Sequence, residues 1–122
     1  MEKGQYQIEY EKFIIDYKIG AVSAEAVGEL IARMAQYFAQ YNMTSVIRED
    51  ALNQKAVEII QQPDENGKSL SVAKADLLIK ATEEARASRI AKAHLMNIEQ
   101  YINSAKALQK GLLNEYSHMG GI

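Results

Sequence analysis

The sequence predicts an all-α fold: a long antiparallel helical hairpin with an N-terminal helical segment packed across it. Three observations carry this. Two long stretches repeat apolar residues every three or four positions, the period of one helix face. Only one stretch between them, residues 62–70, is dense in turn formers. The chain has one Pro in 122 residues, so little else interrupts a helix.

The elements follow in order. Residues 1–20 admit two readings. Tyr6, Ile8 and Tyr10 alternate as in a strand, whereas Tyr6, Tyr10, Phe13, Ile14 and Tyr17 share one helical face. A lone strand has no mate except a copy of itself, so a helical docking segment is the expectation. Ser23 is a good N-cap, with Glu25 in the following first turn, and opens a helix over 24–61. Val27, Ile31, Met34, Phe38 and Tyr41 form its stripe, with Leu30 and Tyr37 beside them. The stripe loses phase at 42–45 and resumes with Val46, Ile47, Ala51, Leu52, Ala56, Ile59 and Ile60. Either the helix runs on, or it bends near Thr44 with that residue as a fresh cap.

Pro63 and Asn66-Gly67 mark the loop over 62–70. A second helix is expected over 71–117. Val72, Ala75, Leu78, Ile79, Thr82, Ala85 and Ala87 give it a small-residue face. Ala91, Leu95, Ile98, Ile102, Ala105, Gln109, Leu112, Tyr116 and Met119 then alternate by four and three, a coiled-coil seam with one polar position. Gly111 weakens this helix by about 1 kcal/mol relative to Ala, and Gly120-Gly121 ends it. Tyr37, Ile47, Ile90, Tyr101 and Leu108 fall off these seams. Such surplus apolar positions predict a homo-oligomer, with Tyr37, Tyr41, Tyr101 and Leu108 as candidate protein-interface residues.

Composition narrows function. Hydrophobic residues are 48% and charged residues 25%, the balance of a soluble globular domain. With no Cys there is no disulfide framework and no thiolate chemistry. His94 and His118 are the only histidines and stand 24 residues apart, so neither metal nor cofactor is expected. Ser117-His118 are neighbours, a spacing that rarely pairs nucleophile with base, and Gly67-Lys68-Ser69 lacks the rest of a phosphate loop. An enzyme is therefore not expected. No apolar run spans a membrane, and no secretion signal opens the chain; the cytoplasm is the expected compartment.

Charge is uneven. Residues 1–66 hold 6 Lys/Arg against 11 Asp/Glu, and residues 67–122 hold 8 against 5. The halves either pair with each other or offer a basic face to a partner. Arg86, Arg89 and Lys92 recur every three residues and are candidate contacts for nucleotide or nucleic-acid phosphates; the alternative is that they solvate the helix or meet the acidic half.

Whole phrases carry a resemblance: YKIGAVSAEAVGELIAR at 17–33, AQYFAQYN at 35–42, DENGKSLS at 64–71 with KAD at 74–76, and NIEQYINSAKALQKGLLNEY at 97–116. Over about residues 15–118 the chain resembles small helical accessory proteins encoded by bacteriophages and prophages. The resemblance implies an accessory role inside an infected bacterium; together with the surplus apolar and aromatic positions, the expectation is a non-enzymatic protein that acts by contact with a host or phage protein. Examples are inhibition of a host anti-phage defence or support of phage DNA metabolism. A ligand-sequestering nucleotide-binding oligomer and a structural part of the phage particle are the alternatives.

Overall fold

A computed structural model describes residues 2–120, with side chains placed through Glu115. Among them the fold is all-helical: α1 (Gln5–Lys18), α2 (Ala24–Ile60), α3 (Val72–Lys80) and α4 (Glu83–Gly120). The expectations for Tyr116, Ser117, His118 and Met119 as side chains, and for Gly121, lie outside the described residues.

The N-terminal ambiguity resolves as helix. Gln7 Oε1 accepts the Gly4 backbone N–H at 2.9 Å and closes the start of α1. Gly20, at φ +74°, makes the turn that follows. Ser23 caps α2 as its sequence position predicts, its Oγ accepting from Ala26 N–H at 3.1 Å.

Helix α2 runs unbroken past Thr44. The stripe does not lose phase there; it continues through a polar residue. Ser45 is buried and Leu52, Ala56 and Ile59 follow it inward, while Val46 and Ile47 face outward. The inward period is thus regular, and apolarity alone was the wrong marker of it.

The loop is clasped by Asp64, whose Oδ1 accepts from Asn66 and Lys68 N–H, each at 2.8 Å; Gly67 takes φ +77°. The stretch expected as one helix over 71–117 is two. Thr82 separates them: its hydroxyl donates to Ile79 C=O at 2.7 Å and accepts from Ala85 N–H at 3.1 Å. One side chain closes α3 and opens α4, and Glu83 and Glu84 in the new first turn favour that start. Helix α4 continues through Gly111.

Two compact units divide the chain: Met1–Gln40 with Leu95–Ile122, and Tyr41–His94. In the first unit, Tyr6, Val27, Leu30, Met34, Ile98 and Ala105 are almost fully buried. Burying each large side chain contributes roughly 1.5–3 kcal/mol. Tyr6 packs between Tyr37 of α2 (6.3 Å) and Tyr101 of α4 (5.9 Å), and Tyr10 stacks on Tyr101 at 3.9 Å. Gln109, the polar position of the α4 seam, donates to Ala24 C=O at 3.2 Å. Gly28 leaves it room, since a Cβ there would stand 3.1 Å from Gln109 Nε2.

The second unit has a different interior. Its buried residues are Ser45, Ile59, Ala75, Ala85, Ser88, Ala91 and His94. All but Ile59 and His94 are small. Its large apolar side chains are mostly outside: Met43, Val46, Ile47, Val57 and Ile60 on α2, and Val72, Leu77 and Leu78 on α3.

Candidate functional site

The three candidate basic residues of α4, Arg86, Arg89 and Lys92, are exposed and meet different neighbours. Lys92 Nζ lies 3.9 Å from Glu49 on α2, so it meets the acidic half of the chain. Arg89 donates to the Lys80 carbonyl at 3.3 Å, a cation on the C-terminal end of α3. Arg86 lines a cleft instead. The three residues thus divide among three tasks, which their spacing alone did not disclose.

The expected interface residues are all half-buried and make contacts within the chain. Tyr37 and Tyr101 are covered on one side by Tyr6, and the Tyr41 ring sits 5.0 Å from that of His94. Leu108 is half-buried in the first unit.

Within the second unit, α2 and α4 leave a cleft of about 270 Å³ between Tyr41 and Arg48 on one side and Ala87, Ile90, Ala91 and His94 on the other. It exists because Ala87 and Ala91 are too short to fill the space opposite two long α2 side chains. A neighbouring cleft of about 360 Å³ shares Arg48, Ala87 and Ile90 and adds Arg86, Glu83 and Glu84. Both are near the small end of the range that ligand sites occupy, roughly 300–1,000 Å³. His94 is 8% exposed, and burial holds its pKa below the ordinary 6.5 by penalising the cation.

The sequence marks His94 only as one of two histidines, and nothing in its pattern singles out Arg48. The signal that could have found both is the antiparallel register: Tyr41 opposite His94 sets Arg48 opposite Ala87. A third cleft, in the first unit, lies between α1 and α2 near Glu9, Asp16, Glu29, Lys12 and Arg33. Its charges largely cancel, and Arg33 Nε already stands 3.9 Å from Glu9. Among the described residues no group of three His, Cys, Asp or Glu could hold a metal ion, and no helix is long and apolar enough to cross a membrane.

The other candidate surface is the outer side of α2 in the second unit. Met43, Val46, Ile47, Val57 and Ile60 are 49–63% exposed. At 100° per residue Met43, Val46, Ile47 and Val57 lie on the side away from Ser45, Leu52 and Ile59, the residues that α2 turns inward, and Ile60 lies at the edge of that side. Asp50, Asn53 and Gln54 interrupt the row at its middle.

Compared with family models, curated proteins and solved structures, the chain matches none.

Proposed function

We propose that the protein is a non-enzymatic assembly protein that acts by protein–protein contact, and that its first partner is a second copy of itself. The carrying observation is the inverted second unit, with small and polar residues inside and a row of large apolar residues outside. Exposed rows of this kind mark interaction surfaces.

The order of residues along the row favours a second copy. Read from either end it is apolar, polar, apolar: Met43, Val46 and Ile47, then Asp50, Asn53 and Gln54, then Val57 and Ile60. Laid antiparallel on itself, Met43 meets Ile60 and Val46 meets Val57 of the second copy. Each Asp50 carboxylate then meets an Asn53 amide, which donates to it. A parallel pair would bring Asp50 against Asp50, a like-charge contact that disfavours that arrangement.

The wider role follows the resemblance to phage and prophage accessory proteins. The antiparallel hairpin of α2 and α4 is the scaffold. The assembly works in the cytoplasm of an infected bacterium, where it engages a host or phage protein, as in inhibition of an anti-phage defence or support of phage DNA metabolism.

Native mass spectrometry of the full chain tests the self-contact. The unaltered protein gives a dimer or a higher even order, and the V46E/V57E double variant gives monomer with unchanged helical circular dichroism. Asn53→Asp, which sets a carboxylate against Asp50, weakens association in low salt and less so in high salt. A double variant that keeps the original mass overturns the proposal.

A further inference from the structure

The geometry points to a binding site for a nucleoside monophosphate in the paired clefts of the second unit, with the base beside Tyr41 and His94 and the phosphate between Arg48 and Arg86. The site is separate from the outer apolar row, because Tyr41 and Arg48 lie on the inward half of α2.

Its two ends differ in chemistry. At one end the Tyr41 and His94 rings lie 5.0 Å apart at 41°, above an apolar floor of Ala87, Ile90 and Ala91. A planar ring laid on that floor buries its faces against aromatic and aliphatic carbon, contacts that tolerate any base. His94 suits this end, since its desolvated imidazole is neutral at pH 7 and does not demand an anion.

The other end is cationic. Of the four arginines, Arg33 pairs with Glu9 and Arg89 binds the Lys80 carbonyl. Arg48 and Arg86 form no ion pair with any described residue, and these two line the same cleft. Two guanidinium groups left in one cleft are a fitting receptor for a phosphoryl group, which takes bidentate hydrogen bonds from each. From Tyr41 to Arg48 is seven residues of helix, about 10 Å. With the reach of the arginine side chains, that separation suits a base and its 5′-phosphate.

Glu83 and Glu84 line the phosphate end as well and set the ligand's charge. Two carboxylates beside two guanidiniums leave no net formal charge. A monophosphate is accommodated there, and the extra anionic groups of a triphosphate are repelled. The ribose hydroxyls find acceptors in the same carboxylates.

Titration of the 15N-labelled full chain with AMP, followed by NMR, tests the site. Saturable shifts are expected at the amides of Ala87, Ile90 and Ala91 and at the His94 ring, with adenosine or inorganic phosphate alone binding more weakly. R48Q/R86Q weakens AMP by roughly ten- to a hundred-fold, the loss expected for charge-assisted hydrogen bonds. Ala87→Met fills the floor and abolishes binding, with helicity unchanged. Binding persists in V46E/V57E, so this site and the self-contact stand or fall separately. Absence of AMP shifts at these amides in a folded chain, or full affinity in R48Q/R86Q, overturns the assignment. ATP binding more tightly than AMP overturns the role of Glu83 and Glu84.

Discussion

The two compact units are built from the same two long helices, yet they distribute their apolar residues in opposite ways. The first unit buries Tyr6, Leu30, Met34 and Ile98 and covers its off-seam tyrosines with α1. The second encloses Ser45, Ser88, Ala75, Ala85 and Ala91, and presents Met43, Ile47, Val57 and Leu77 to the outside. Apolar burial dominates stability, so the difference assigns the units different jobs. The first holds itself together. The second leaves large apolar side chains exposed, the surface that the proposed self-contact would cover.

The largest expected effect breaks the first unit. Ile98 is fully buried, and Ile98→Ala removes the centre of its core at a cost of about 2–5 kcal/mol, read by chemical denaturation. If the cost were small, the first unit would not be the self-sufficient one.

A smaller effect sharpens the comparison through pH. Burial depresses the His94 pKa in the fold, so between that value and the unfolded 6.5 the unfolded chain binds more protons. The stability that neutral His94 contributes is complete above pH 6.5. It is lost as pH falls through the folded value. His94→Gln flattens this part of the pH–stability profile, measured by thermal melts across pH 5–8, the range about the free imidazole pKa. An unchanged slope would mean that the imidazole is not desolvated.

The smallest effect concerns the joint between α3 and α4. Thr82→Ala removes the hydroxyl that serves both helix ends and costs about 1 kcal/mol. Thr82→Ser keeps the hydroxyl and recovers most of it. Hydrogen exchange at Ala85 reads the change locally.

Much of the first unit is legible in the sequence because its interior is apolar and periodic. Leu95, Ile98, Ile102, Ala105 and Gln109 fall on one seam and are buried or half-buried as their spacing predicts. Ser23 behaves as the cap that it looks like. The second unit is harder to read, since two of its buried positions are held by Ser45 and Ser88, residues that carry no hydrophobic signal. Its outward Val46 and Ile47 carry a strong one and suggested a break in phase that does not occur. Thr82 was read as part of a packing face, although Thr-Glu-Glu before a helix is a start signal that the local chemistry supplies. The cleft combines residues from two helices, so only the register between them brings Arg48 and Arg86 into one place.

The tyrosine cluster of the first unit has a spectroscopic consequence. The chain has no Trp, and every tyrosine except Tyr41 belongs to that unit. Ultraviolet absorbance, tyrosine emission and near-ultraviolet dichroism therefore report almost entirely on one side of the comparison, with the stacked Tyr10–Tyr101 pair a strong chiral source. A melt followed at 280 nm tracks the self-sufficient unit and is nearly blind to the other. A Trp placed at exposed Val57 would give the second unit a colour of its own.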